Sequence, residues 1–219
     1  MTFDEWLFLG INGLAGHWGP ADWIMQRATN DYLIPVIMAL SLLGLWILSR
    51  RLPTPQRARL QRLLWVAMIG AGFSTAIVKI CNLYYFRPRP FDALDESLVN
   101  LLFYKPIDPS FPSNCAAVTF AVAFGVWLGQ PRAGYALGML ALLMSFARVY
   151  VGVHYPMDIV GGFGCGLTGT GLAWLLFRGF AKLERLVPAT GDNIFITIAY
   201  SLLRAPTTML NFLRSLHLA

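Results

Sequence analysis

The residues of this chain best suited to chemistry lie between Ala147 and Asp158, which reads Ala-Arg-Val-Tyr-Val-Gly-Val-His-Tyr-Pro-Met-Asp. His154, one of only three histidines, follows Arg148 by six residues and precedes Asp158 by four. A carboxylate that accepts one ring N–H fixes the tautomer and orientation of an imidazole, leaving the other nitrogen as a nucleophile. Pro156 suits the first turn of a helix and not its interior. His154 therefore precedes a helix and Asp158 falls in its first turn. An aspartate there also complements the helix dipole, but beside a histidine it has a second use. Arg148 interrupts an apolar run; an arginine inside a membrane segment costs at least ~2.5 kcal/mol and marks a functional site, unless it snorkels to headgroups. A nucleophilic imidazole, an orienting carboxylate and an oxyanion-binding cation suit phosphoryl transfer.

The elements that carry these residues belong to a membrane protein. Of 219 residues, 57% are hydrophobic and 13% charged, about half the charged fraction of a soluble domain. With mean hydropathy +0.58, the excess apolar content reads as several spans in one membrane domain. The net charge of +6 comes from dispersed basic residues, so it is no nucleic-acid signature. Cys81, Cys115 and Cys165 have no metal-ligand spacing and an odd count, against zinc or a disulfide framework. Met1 to Trp6 lacks the basic region of a cleavable signal peptide.

In chain order, Met1 to Trp18 and Ala21 to Asn30 read as short helices, the first interfacial. Five spans follow: 32–49, 63–86, 114–128, 134–151 and 157–177. The expected fold is all-α, a polytopic integral-membrane bundle of about five transmembrane helices with N- and C-terminal interfacial helices. Residues 1–186 form the membrane-embedded domain and 187–219 an amphipathic tail with interfacial helices broken at Pro206. The glycines of the fifth span (Gly161, Gly162, Gly164, Gly166, Gly169 and Gly171) suit close helix packing.

Arg50, Arg51, Arg57, Arg59 and Arg62, then Arg132, then Arg178, Lys182 and Arg185 fall at one end of this topology, the inner one by the positive-inside rule. The other end receives Arg87 and Arg89, then Ser113, Asn114 and Cys115, then Arg148, then His154 and Asp158. Four segments thus converge on the outer leaflet. Ser113 reads as a helix N-cap, and the free amides of that helix start can also bind phosphate oxygens.

Together these pieces resemble the type 2 phosphatidic acid phosphatase superfamily, which shares its core with vanadium haloperoxidases. That signature has a lysine, six residues and Arg-Pro; then Pro-Ser-Gly-His; then Ser-Arg, five residues, His, three residues, Asp. Ala147-Arg148, five residues, His154, three residues, Asp158 matches the last part with only the serine changed. Arg87 to Phe91 (Arg-Pro-Arg-Pro-Phe) and Ile11-Asn12-Gly13-Leu14 look like the bacterial undecaprenyl diphosphate phosphatase branch. Counted back from Arg89, the lysine position falls on Asn82; Lys79 lies one helical turn earlier, on roughly the same face. In Pro112-Ser113-Asn114-Cys115, cysteine stands where the family has the histidine that protonates the leaving group. A thiol is a poor general acid, and neither His17 nor His217 is an obvious replacement.

The resemblance implies a metal-independent, cofactor-free lipid phosphatase in the bacterial cytoplasmic membrane with its site facing outward. His154 would attack phosphorus and form a phosphohistidine, with Asp158 orienting it and Cys115 in the acid's place. Arg89, Arg148, Ser113, Asn114, Lys79, Asn82 and Arg87 are the expected phosphate-binding set. A missing acid favours a diphosphate, whose leaving group is a phosphate, over a monoester that expels an alkoxide, so the expected substrate is a polyprenyl diphosphate. The other readings are a phosphatase or phosphotransferase on another phospholipid, or a catalytically impaired lipid-phosphate binder. The expected partners are the lipid and the bilayer, with no nucleic acid.

Overall fold

A computed structural model describes residues 1–186; the expected C-terminal tail, 187–219, lies outside the described residues. Among the described residues the chain forms eight α-helices and one 3-10 turn, with no strand: α1 (Phe3–Asn12), α2 (Gly19–Ala28), α3 (Leu33–Ser49), α4 (Thr54–Tyr84), α5 (Pro90–Ala93), the 3-10 turn Glu96–Leu98, α6 (Asn114–Trp127), α7 (Pro131–Tyr150) and α8 (Pro156–Leu186). Local chemistry sets several of these starts. Thr2 and Glu5 form a reciprocal capping box on α1. Prolines stand in the first turns of α2, α4, α5, α7 and α8, where the missing N–H is not needed.

The all-α expectation holds, with shifted boundaries. The N-terminal helix stops at Asn12, because the chain turns through Gly16 at φ +86°, a region open to glycine. The second span starts at Thr54 instead of 63, so Arg57, Arg59 and Arg62 lie within α4. The fifth continues past 177 to Leu186. In both cases residues of good helix propensity carry the helix beyond its apolar part.

Three helices, α4, α7 and α8, are long and apolar enough to cross a membrane. The α2–α3 pair passes together, bent by 53° at its break, while α6 has 14 residues, ~21 Å against a hydrocarbon core of ~30 Å. The chain is an integral membrane protein of helical architecture.

The core is built by α4, α6, α7 and α8, with α6 central and packed on the other three. Small residues permit this. Gly125 sits against the Ala67 backbone, and a Cβ there would meet its Cα at 2.4 Å. On α8, a Cβ on Gly162 would meet the Ser113 carbonyl oxygen at 2.5 Å, and one on Gly169 would meet the Gly70 carbonyl oxygen and the Ser74 amide nitrogen at 2.6 Å. Gly161 and Gly166 are similarly crowded, whereas Gly164 and Gly171 face open space. The packing reading therefore applies to four of the six glycines.

At the end holding His154, α1 and α2 pack against α7, and α1 also against α8. The end of α7 leaves carbonyls that its own helix cannot satisfy. Asn12, fully buried, donates from Nδ2 to the carbonyls of Tyr150 (2.8 Å) and Asn100 (2.9 Å) and accepts from the Asn100 amide (2.8 Å). The Leu102 amide donates to the Val151 carbonyl, and Gly152, at φ +89°, reverses the chain toward His154. Phe91, Tyr150, Val151 and Val153 form a small apolar cluster that Leu101, Leu102 and Phe103 pack against. The 85–113 connection is thereby fixed over the site.

Candidate active site

His154 lies between α7 and α8, is 3% exposed, and has different company at its two nitrogens. Nδ1 lies 3.4 Å from Asp158 Oδ2 and 3.5 Å from Ser110 Oγ. Nε2 lies 3.3 Å from both Arg89 Nη1 and Ser113 Oγ. Asp158 is fully buried. Its Oδ2 also accepts from Ser110 Oγ (2.5 Å) and the Tyr155 amide (2.8 Å), and its Oδ1 accepts from Arg87 Nη1 (2.7 Å). A carboxylate so partnered stays ionised and holds the Nδ1–H tautomer. Burial pushes the His154 imidazole below its ordinary value; the Asp158 contact opposes this, and the charges of Arg89 and Arg148 reinforce it.

Arg89, 3% exposed, uses its whole fork. Nε and Nη2 donate to the Asp108 carbonyl and carboxylate (both 2.9 Å), and Nη1 donates to the Val153 carbonyl (2.7 Å). Arg148 is equally buried and enters from α7. Its Nη2 pairs with Asp31 and reaches Cys115 Sγ at 2.9 Å, and its guanidinium lies over the Phe103 ring at 5.4 Å. Its buried Nε has no hydrogen-bond partner. Ser113 occupies the N-cap position of α6 but makes no side-chain cap bond; its Oγ turns to His154 instead. The first amides of α6 have no intrahelical acceptor, and Asn114 there is exposed.

Three expected phosphate ligands lie elsewhere. Arg87 stands behind the ring: Nη1 is bound by Asp158 and Nη2 by Asp4 (2.7 Å), and its guanidinium stacks on Tyr155 at 4.1 Å. Lys79 is exposed on α4 with no hydrogen bond or ion pair among the described residues. Asn82 is half-buried, with an unpartnered Oδ1. The sequence reading missed Ser110, Asp4, Asp31, Asp108 and Tyr104. Each is a common residue on a helix end or connection, with no motif spacing to single it out. No group of three or more His, Cys, Asp or Glu side chains among the described residues is arranged to hold a metal ion.

Comparison with known proteins bears on the family and the fold. The chain is 31% identical to undecaprenyl-diphosphatase BcrC of Bacillus subtilis over 201 residues, 92% of this chain and 96% of that protein. It is 37% identical to an undecaprenyl-diphosphatase of Sulfolobus acidocaldarius over 104 residues, 47% of this chain and 44% of that one. Among solved structures, Aquifex aeolicus LpxE shares the fold with a TM-score of 0.61 at 22% identity, over 80% of this chain and 96% of that one. The model of the PAP2 superfamily matches residues 60–183, the segment that contains α6, α7, the His154 turn and most of α4 and α8. On these matches, the chain belongs to the PAP2 superfamily.

Proposed function

We propose that the protein hydrolyses the terminal phosphate of a polyprenyl diphosphate through a phosphohistidine on Nε2 of His154. The observation that carries this reading is the asymmetry of the ring. Nδ1 faces a buried, fully partnered carboxylate, while Nε2 faces Arg89 and Ser113. Nε2 attacks phosphorus and the bridging P–O bond breaks. Arg89, Arg148 and the first amides of α6 hold the equatorial oxygens, the positioning and charge stabilisation this reaction needs. Water then attacks the phosphohistidine and releases inorganic phosphate.

The substrate assignment draws on the undecaprenyl-diphosphatase relatives. The site faces outward from the cytoplasmic membrane, because Arg57, Arg59 and Arg62 on α4 and Arg178 and Lys182 on α8 lie at the opposite ends of their helices from the site. The reaction needs no metal.

The test is phosphate release from a prenyl diphosphate in detergent with chelator present. The wild-type chain turns over and His154→Ala does not. A His154→Ala variant with full turnover contradicts the mechanism, and a wild-type chain that binds the lipid but releases nothing favours a lipid-phosphate binder.

A further inference from the structure

The chain has a cysteine where proton donation to the leaving group is expected, yet a carboxyl group stands beside it. Asp31 lies at the break between α2 and α3. It pairs with Arg148 Nη2, the same nitrogen that touches Cys115 Sγ at 2.9 Å. Its other oxygen accepts from the Tyr104 hydroxyl at 2.5 Å. Asp31 and Cys115 therefore share one corner of the site, reached through one guanidinium nitrogen. Asp31 is 32% exposed, so water reaches it, unlike the fully buried Asp158.

We propose that Asp31 supplies the leaving-group proton that Cys115 cannot, with Tyr104 holding its carboxyl in place. The inference rests on the phosphatase reading above. In the resting site Asp31 is the counter-ion of Arg148. A substrate phosphate takes over that guanidinium and sets its own negative charge against the carboxylate. A like charge placed beside a carboxylate disfavours its ionised form, and the proposed acid acts in its protonated form. The charged and titratable groups around Asp31 are Arg148 on α7, Cys115 on α6 and Tyr104 on the 85–113 connection, with Arg89 and Asp108 nearer the ring. The hydrogen bond to Asp31 pushes the Tyr104 phenol up to about 12, so Tyr104 keeps its proton and serves as the holder.

The step balances. The Nε2–P bond forms, the P–O bond to the leaving group breaks, and the departing oxygen takes the Asp31 proton. In the second half, the Asp31 carboxylate takes a proton from the attacking water, the P–N bond breaks, and phosphate leaves with Asp31 protonated again.

The experiment compares a prenyl diphosphate with the monophosphate of the same tail, in wild type, Asp31→Asn and Asp31→Asn/Cys115→His. General-acid help matters most when an alkoxide must leave, so Asp31→Asn should slow the monophosphate by about 100-fold or more. It should slow the diphosphate by less than about tenfold. The Cys115→His change in the Asp31→Asn background should restore much of the monophosphate rate. An equal fall on both substrates, without rescue by Cys115→His, makes Asp31 a structural partner of Arg148 and overturns the proposal. So does an Asp31→Asn variant with undiminished rates, or a wild-type chain that cleaves only the diphosphate. If the wild type cleaves neither, the phosphatase reading itself fails.

Discussion

The two sides of the His154 ring are built differently. Behind Nδ1 the chain forms a closed relay: Asp158 is held by Ser110, the Tyr155 amide and Arg87, and Arg87 by Asp4, which also accepts from the Met157 amide at 3.0 Å. These groups are buried or nearly so, and each has a protein partner. In front of Nε2 the two arginines are also paired, but with carboxylates that water reaches: Asp108 is 60% exposed and Asp31 32%. An anionic substrate can replace a carboxylate that water reaches on a buried guanidinium, because the displaced group is hydrated, as at Asp108, or takes up a proton, as proposed for Asp31. It cannot cheaply replace Asp158. In the proposed mechanism the back therefore fixes geometry, and the front is where phosphate binds.

The sharpest way to break this comparison is to remove the ring that joins the sides. His154→Ala should lower phosphate release by at least about 10⁴-fold, since the nucleophile is gone. At the front, Arg148→Lys keeps a charge but loses the fork, and should cost on the order of 10²–10³ in kcat/KM. At the back, Asp4→Asn should cost about tenfold in kcat with KM unchanged, through slight misplacement of the ring. Equal KM effects from Arg148→Lys and Asp4→Asn in initial-rate kinetics would erase the distinction between the sides.

Smaller effects sharpen it. Asn12→Ala strips partners from the buried Tyr150 carbonyl and from the amide and carbonyl of Asn100 and should lower stability in detergent by about 2 kcal/mol, read as a lower Tm with phosphate affinity preserved. The pH profile should show the front's charge on the ring. In the proposed mechanism only the neutral imidazole attacks, and burial holds His154 below the usual value of about 6.5. The kcat/KM of the wild type should therefore persist as pH falls through 6.5 and decline only below it. Arg89→Met removes a neighbouring positive charge that disfavours protonation, so the acid limb should move to higher pH.

Much of this was legible in the sequence, for identifiable reasons. Hydrophobic runs placed α3, α6 and α7 and the start of α8 within a few residues, helped at α7 and α8 by the prolines that open them, because both signals act locally. Arg148, His154 and Asp158 were readable because they share one motif spacing, and the helix start at Pro156 sets His154 beside Asp158. The missed residues act across the fold: Asp4 meets Arg87, Asp31 meets Arg148, and Ser110 meets Asp158 only after α1, α2 and the 85–113 connection close over the helix ends. Arg87 and Arg89 illustrate the limit. Two residues apart in an extended stretch, both were expected to bind phosphate, with Arg89 favoured by the motif spacing, yet they end on opposite sides of one imidazole.

The central claim is that Nε2 of His154 carries the phosphoryl group. The direct measurement is rapid quench of the detergent-solubilised protein with a prenyl diphosphate labelled in its terminal phosphate. The account predicts a protein-bound label that is acid-labile and base-stable, maps to the peptide containing His154, and is absent in His154→Gln. Phosphate released at full rate with no labelled protein at any quench time, or a label that persists in His154→Gln, would contradict it.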